Sequence, residues 1–236
     1  MARIHSIRLL ILLVAAAAIG GLGLVSLPSG AAGERFDNLV REDMFKGFKG
    51  DAAAFARAMA TCEAALAKDP HYPPALAWHG SGLLVRGQTA LSRRDSAGLA
   101  DYQQGLAELN QAVALAPDDL QAVIPRAATF HASATFDPDP RRAEGRLKTA
   151  AGDYEHVLAI EEQAGWLPKL SVHAKGELFG ALADIYARLG DDQQSRRYLS
   201  RLVEDLPGSS YADNAAERLG DDKSRARITC LGCHLK

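Results

Sequence analysis

Two stretches of 18 residues constrain the fold most, because they repeat one pattern of small side chains and a closing proline. Residues 55–72 read FARAMATCEAALAKDPHY and residues 102–119 read YQQGLAELNQAVALAPDD. Small residues stand in the same register in both stretches, and Pro70 and Pro117 close them. Self-similarity at a period of a few tens of residues is typical of repeat architectures. The pattern predicts an all-α fold of stacked helical pairs.

The spacing of small residues has a packing reason, because two helices approach closely only where small side chains face each other. A third copy, residues 182–207, runs through a turn at Gly190 to Pro207. These stretches resemble tetratricopeptide repeats, which are helix–turn–helix units. The resemblance implies an α-solenoid of about four degenerate helical pairs over residues 36–219. It also implies a concave face, lined by the first helix of each pair, that holds an extended peptide or a helix.

Counting back from the closing prolines places the first helices of the pairs. We expect helices at Phe36–Phe48 and at residues 74–85, and a weaker pair within residues 120–162. The first helix of the weaker pair is expected to begin at Pro125, since proline suits the first turn of a helix. The distance from Pro70 to Pro117 exceeds the family period of about 34 residues. Insertions are therefore expected at 87–98 and 137–140, a connector at 163–172 and a capping helix at 210–219.

Seven residues are predicted to face the groove of such a solenoid. They are Met44, Leu84, Val85, Ile124, His131, Asp184 and Arg188. Their mostly apolar character favours a protein or peptide partner, and they lack the basic cluster that would clamp a peptide carboxylate. For each of them, ordinary packing between repeats is an equally good interpretation.

The N-terminal segment, residues 1–33, indicates export. An uncharged apolar run from 9 to 27 follows Arg3 and Arg8, and small residues follow the run. This is the pattern of a signal peptide or a membrane anchor, and the basic flank places the N-terminus in the cytoplasm. We therefore expect a periplasmic body, either released by cleavage or tethered to the inner membrane. A buried helix of the globular domain is the remaining interpretation.

The C-terminal tail, residues 220–236, contains the sharpest chemical motif. Cys230, Cys233 and His234 form Cys-x-x-Cys-His, the attachment sequence of c-type haem. Residues three apart share a helix face, so both thiols could reach the vinyl groups of a haem, with His234 as the expected ligand of its iron. Alternatives are a disulfide or redox pair formed by the two cysteines, a metal site, and an inert tail.

A self-contained cytochrome c domain is not predicted, because only Leu235 and Lys236 follow the motif and no methionine lies near it. A second axial ligand would then come from elsewhere in the chain or from another molecule. His131 and His79 are the candidate distal ligands. A structural role in the helical core is the competing interpretation for each.

Composition and missing motifs exclude several functions. The chain has 27 basic and 29 acidic residues and a formal charge of −2, which disfavours nucleic acid as a partner. It has no phosphate-binding loop, nucleophile elbow, His-Glu-x-x-His or calcium loop, so we do not expect an enzyme. The expected function is an extracytoplasmic interaction scaffold carrying one haem c for electron transfer. The alternatives are a haem-free cell-envelope assembly adaptor, whose terminal cysteines form a disulfide or bind metal, and a thiol oxidoreductase.

Overall fold

The computed structural model describes residues 35–221, 224 and 226–229. Over these residues the chain is all-α, with no strand, which confirms the predicted fold class. The helices are α1 (Phe36–Phe48), α2 (Ala52–Leu66), α3 (Pro73–Ser92), α4 (Gly98–Leu115), α5 (Leu120–Ala134), α6 (Pro140–Gln163), α7 (Val172–Leu189), α8 (Asp192–Asp205) and α9 (Ser210–Gly220). A short 3₁₀ turn, Leu167–Lys169, lies between α6 and α7.

Consecutive helices pack in pairs: α1 with α2, α3 with α4, α5 with α6, and α7 with α8. Helix α9 packs on α8. Aspartates in the connecting turns accept hydrogen bonds from the backbone N–H groups of the following helix, which satisfies donors left free at a helix start. These N-caps are Asp51, Asp119, Asp139 and Asp191. Gly190 ends α7 with a φ of +76°, a left-handed conformation that glycine adopts without strain.

Four glycines bring α3 and α4 into backbone contact. A Cβ atom on Gly105 would lie 2.5 Å from the backbone nitrogen of Leu84, and one on Gly87 would lie 2.5 Å from that of Tyr102. Gly80 and Gly98 complete the seam with similarly close approaches. The predicted insertion at 87–98 is mostly helix. Helix α3 continues to Ser92, and α4 begins at Gly98.

The start of α5 corrects a second prediction. The helix begins at Leu120, and the side chain of Asp119 accepts a hydrogen bond from the backbone N–H of Gln121. Pro125 lies inside the helix, where it lacks the N–H that would bond to the carbonyl of Gln121. The aspartate cap, and not the proline, sets the beginning of this helix.

The predicted insertion at 137–140 is a short turn that joins three helices. The carboxylate of Asp137, 2% exposed, lies 2.9 Å from the guanidinium of Arg142 and 3.0 Å from that of Arg146. Arg146 also donates to the hydroxyl of Tyr102 on α4. The turn between α5 and α6 is thereby fixed to α4. The predicted connector at 163–172 matches the link from α6 to α7, and the predicted capping helix matches α9.

The chain beyond α9 returns to the helical body. Ile228 is 2% exposed and belongs to the main hydrophobic core, and its carbonyl contacts Gly180 of α7. The side chain of Asn214, on α9, donates to the carbonyl of Arg227 at 2.7 Å. The predicted signal or anchor segment, residues 1–33, lies outside the described residues. Within the described part of the chain, no helix has the length and apolarity needed to cross a membrane.

Candidate ligand-binding cavity

A cavity of about 410 Å³ lies among α1, α3, α5, α6 and α7. The first helix of every pair contributes to its wall, and most of the lining is apolar. Its aromatic residues are Phe45, Phe48, Trp78 and Tyr154. The volume falls within the range of roughly 300–1,000 Å³ that is usual for small-molecule sites.

The structure divides the seven residues predicted to face a groove. Val85 and Ile124 line the cavity. Met44 and Leu84 are fully buried in the core instead. For Met44 the physical reason is the space at Gly82, against which the end of its side chain lies, whereas the backbone of Leu84 packs closely against Gly105 of α4.

His131, Asp184 and Arg188 come together in a separate polar cluster between α5 and α7. Nε2 of His131 lies 2.8 Å from Oδ2 of Asp184, and Arg188 donates to the carbonyl of His131 at 3.3 Å. Burial works to raise the pKa of Asp184, but the hydrogen bond with His131 and the nearby arginines lower it overall. Nδ1 of His131 is buried without a hydrogen-bond partner. These three residues bridge two helices and do not line the cavity.

His79 also bridges two helices. It is 7% exposed on α3, and its Nδ1 lies 2.7 Å from Oε2 of Glu108 on α4. Both candidate distal ligands therefore have one ring nitrogen paired with a carboxylate. The described residues contain no group of three or more histidine, cysteine or acidic side chains that could hold a metal ion. Cys230, Cys233 and His234 lie outside the described residues.

Three residues that line the cavity each have a buried polar atom without a hydrogen-bond partner. The atoms are Nε1 of Trp78, Oε1 of Gln121 and Oε2 of Glu161, from α3, α5 and α6. Trp78 and Glu161 are 6% and 7% exposed. Burial raises the pKa of Glu161, and the positive charge of Arg35 partly opposes that shift. A buried polar atom without a partner costs about 1–3 kcal/mol, so such atoms mark a place that a ligand or water completes.

Sequence reasoning missed these atoms, although one signal was present. Ala150, Tyr154 and Val157 mark the buried face of α6, and Glu161 follows at the same helical spacing. A glutamate on a buried face is rare without a partner. The helical spacing by itself therefore singles out Glu161. Nothing in the sequence indicates that Trp78 and Gln121 would lie on the same cavity.

The basic groups beside the cavity already have an acidic partner. Arg35 and Arg41 lie 3.0 Å and 3.4 Å from the carboxylate of Asp37. Two further acidic residues, Glu161 and Glu177, line the cavity, and Glu177 accepts a hydrogen bond from Tyr211. The wall thus carries three carboxylates against two guanidinium groups.

No protein-family model, curated protein or solved structure matches this chain.

Proposed function

We propose that this chain is an extracytoplasmic binding scaffold that carries one covalent haem c for electron transfer beside a docked protein or peptide partner. The observation that carries the scaffold function is the shared cavity, to which the first helix of all four pairs contributes. A repeat protein recognises its ligands on a surface built from equivalent helices. Two cavity-lining residues on these first helices, Trp78 and Gln121, each have a buried polar atom without a hydrogen-bond partner.

The repeats of this scaffold are proposed to resemble tetratricopeptide repeats. Four consecutive helical pairs support this, as do the small residues at Gly80 and Gly105, where α3 and α4 approach closely. The pairs differ in length and in their turns, so the solenoid would be degenerate. No motif for catalysis supports an enzyme, and the scaffold is proposed to act by binding alone.

The haem would be attached through thioether bonds to Cys230 and Cys233, with His234 as the proximal ligand. The described residues before the motif are held on the helical body, because Ile228 packs in the core and Asn214 donates to the carbonyl of Arg227. Haem would supply a one-electron redox centre. The helical body would supply the surface on which the electron-transfer partner docks.

His131 and His79 stay the candidates for a second axial ligand from this chain. In each, a carboxylate holds one ring nitrogen, and metal proteins commonly orient a histidine ligand in this way. Both rings are buried, so either would have to leave its present position to meet an iron. A ligand from a partner or a second molecule is the other source.

The decisive test is the visible spectrum and intact mass of the exported protein, produced with a c-type haem maturation system. We expect a Soret band that survives denaturation and the added mass of one haem. The Cys230→Ala, Cys233→Ala double variant is the control and should lack both. A colourless wild-type protein would overturn the haem. A mass lower by two hydrogens would then favour the adaptor with a terminal disulfide.

Export is tested on the same preparation. We propose that residues 1–33 direct the body to the periplasm, and we expect the protein in the periplasmic fraction or in the inner membrane with its body accessible from the periplasm. N-terminal sequencing distinguishes a cleaved signal from a retained anchor. Recovery of the full-length protein in the cytoplasm would contradict the proposed location.

A further inference from the structure

The unpartnered polar atoms of the cavity-lining residues define what an occupant must offer. Oε1 of Gln121 and Oε2 of Glu161 are acceptors, whereas the indole N–H of Trp78 is a donor. An occupant that completes the wall therefore donates at two points and accepts at one. The rest of the lining is mostly apolar, so the body of the occupant must be apolar as well.

The charge of the wall favours a cation. Arg35 and Arg41 are paired with Asp37, whereas the buried oxygen of Glu161 lacks a hydrogen-bond partner. A buried carboxylate is costly unless a charge or hydrogen-bond donors compensate it. An anion would lie beside Glu161 and add to that cost. An ammonium group would remove the cost by donating to the carboxylate.

The aromatic lining points to the same chemistry. Phe45 and Trp78 lie with their ring centroids 5.9 Å apart in an edge-to-face arrangement, and Phe48 and Tyr154 line the same cavity. Aromatic faces attract cations, and aromatic cages are a common way to hold organic ammonium groups. Aromatic walls and one buried carboxylate together distinguish this cavity from a purely apolar void.

We propose that the cavity binds a small organic ammonium ion with an apolar body, whose N–H groups donate to Glu161 and Gln121. An oxygen on the ligand would accept the indole N–H of Trp78. The proposal rests on the proposed binding role of the cavity and is independent of the haem. It names a ligand class that neither the repeats nor the C-terminal motif indicates.

The test uses three ten-carbon probes that differ only in their polar head: decylammonium, decanol and decanoate. Trp78 reports binding by its fluorescence once the exposed Trp166 is replaced, since the chain has two tryptophans. The full chain carrying Trp166→Phe is titrated with each probe below its micelle concentration. We expect decylammonium to bind at least about tenfold more tightly than decanol, and decanoate more weakly than both.

Two matched variants locate the binding. Glu161→Gln should weaken decylammonium about tenfold and leave decanol unchanged, because it removes the charge and keeps the shape. Glu162→Gln is the control, since Glu162 is the exposed neighbour, and it should change neither. Ala128→Phe fills the cavity from α5 without adding a second tryptophan and should abolish binding of both probes.

The outcomes separate the ligand class from the binding role. Equal affinity for all three heads, or an equal loss in the two glutamate variants, overturns the ammonium ligand and leaves an apolar binding cavity. Binding that survives Ala128→Phe overturns the site itself. If no probe binds, water alone completes the wall and the ammonium ligand fails, whereas docking of a protein or peptide partner is a separate claim that this outcome does not overturn.

Discussion

The α3–α4 and α7–α8 pairs have the same topology, but they are filled by opposite means. Between α3 and α4, glycines such as Gly87 and Gly105 bring the two backbones together. Between α7 and α8, aromatic rings fill the space: Phe179 and Tyr198 stack with centroids 6.5 Å apart. One interface has no room for a methyl group, and the other depends on large side chains. The two pairs should therefore respond in opposite ways to a change in side-chain volume.

The largest expected effect is the loss of a ring from the aromatic interface. Phe179 is fully buried, so Phe179→Ala should lower the free energy of unfolding by about 3–5 kcal/mol through lost burial and a new cavity. Chemical denaturation monitored by circular dichroism measures this. Phe179→Leu keeps most of the volume and should cost less than half as much. Equal losses in the two variants would show that volume is not what the interface needs.

The glycine seam should respond to the addition of a single methyl group. Gly105→Ala places a Cβ atom against the backbone of Leu84, so we expect a loss of about 1–3 kcal/mol from overpacking. Gly152→Ala is the matched control, because nothing lies within 4 Å of its new Cβ atom on α6. It should raise stability by about 0.5–1 kcal/mol, since alanine is the better helix former. Changes of the same sign in the free energy of unfolding of the two variants would contradict close backbone packing between α3 and α4.

The two pairs also show how far the sequence predicts the fold. Small residues at Gly80 and Gly105 predicted close approach, and Gly190 predicted the turn between α7 and α8, because these positions have local physical requirements. The sequence predicts an insertion at 87–98 instead, whereas the structure has the end of α3 and the start of α4 there. A glycine pair looks the same in a loop as in a tight helix interface, and only the partner helix distinguishes them.

The cavity was less predictable than the helices. Of the residues predicted to face a groove, Val85 and Ile124 line the cavity, whereas Met44 and Leu84 are buried in the core. Oε2 of Glu161 has no partner because α3 and α5 place no hydrogen-bond donor beside it. A missing hydrogen-bond partner depends on the tertiary structure and leaves no periodic pattern in the sequence.

A smaller effect is expected where a glycine of α7 faces the C-terminal chain instead of a helix. Gly180→Ala would direct a methyl group at the carbonyl of Ile228 and displace residues 226–229. Loss of the buried Ile228 side chain should cost about 1–2 kcal/mol. Limited proteolysis should then cut the tail faster while the helical body stays intact.

The control for the tail is Gly145→Ala, whose new Cβ atom on α6 meets nothing within 4 Å. It should leave the rate of tail cleavage unchanged. If the tail of Gly180→Ala is cut no faster than that of the control, packing of Ile228 against α7 does not hold residues 226–229 on the helical body.

The smallest expected effect sharpens the aromatic side of the comparison. Burial, together with the charge of Glu155, raises the pKa of Tyr198 to about 12, and burial also raises the pKa of Tyr186. An unfolded tyrosine titrates near about 10, so the native chain holds these protons more tightly than the unfolded chain. The resulting stability is present below about pH 10 and is lost as the pH rises toward about 12.

Tyr198→Phe should cost about 0.5–1 kcal/mol at pH 7, through loss of the hydrogen bond to Glu155. Between pH 9 and about 11.5, its denaturation midpoint should fall less than that of the wild type, and equal falls would show that Tyr198 does not titrate with unfolding.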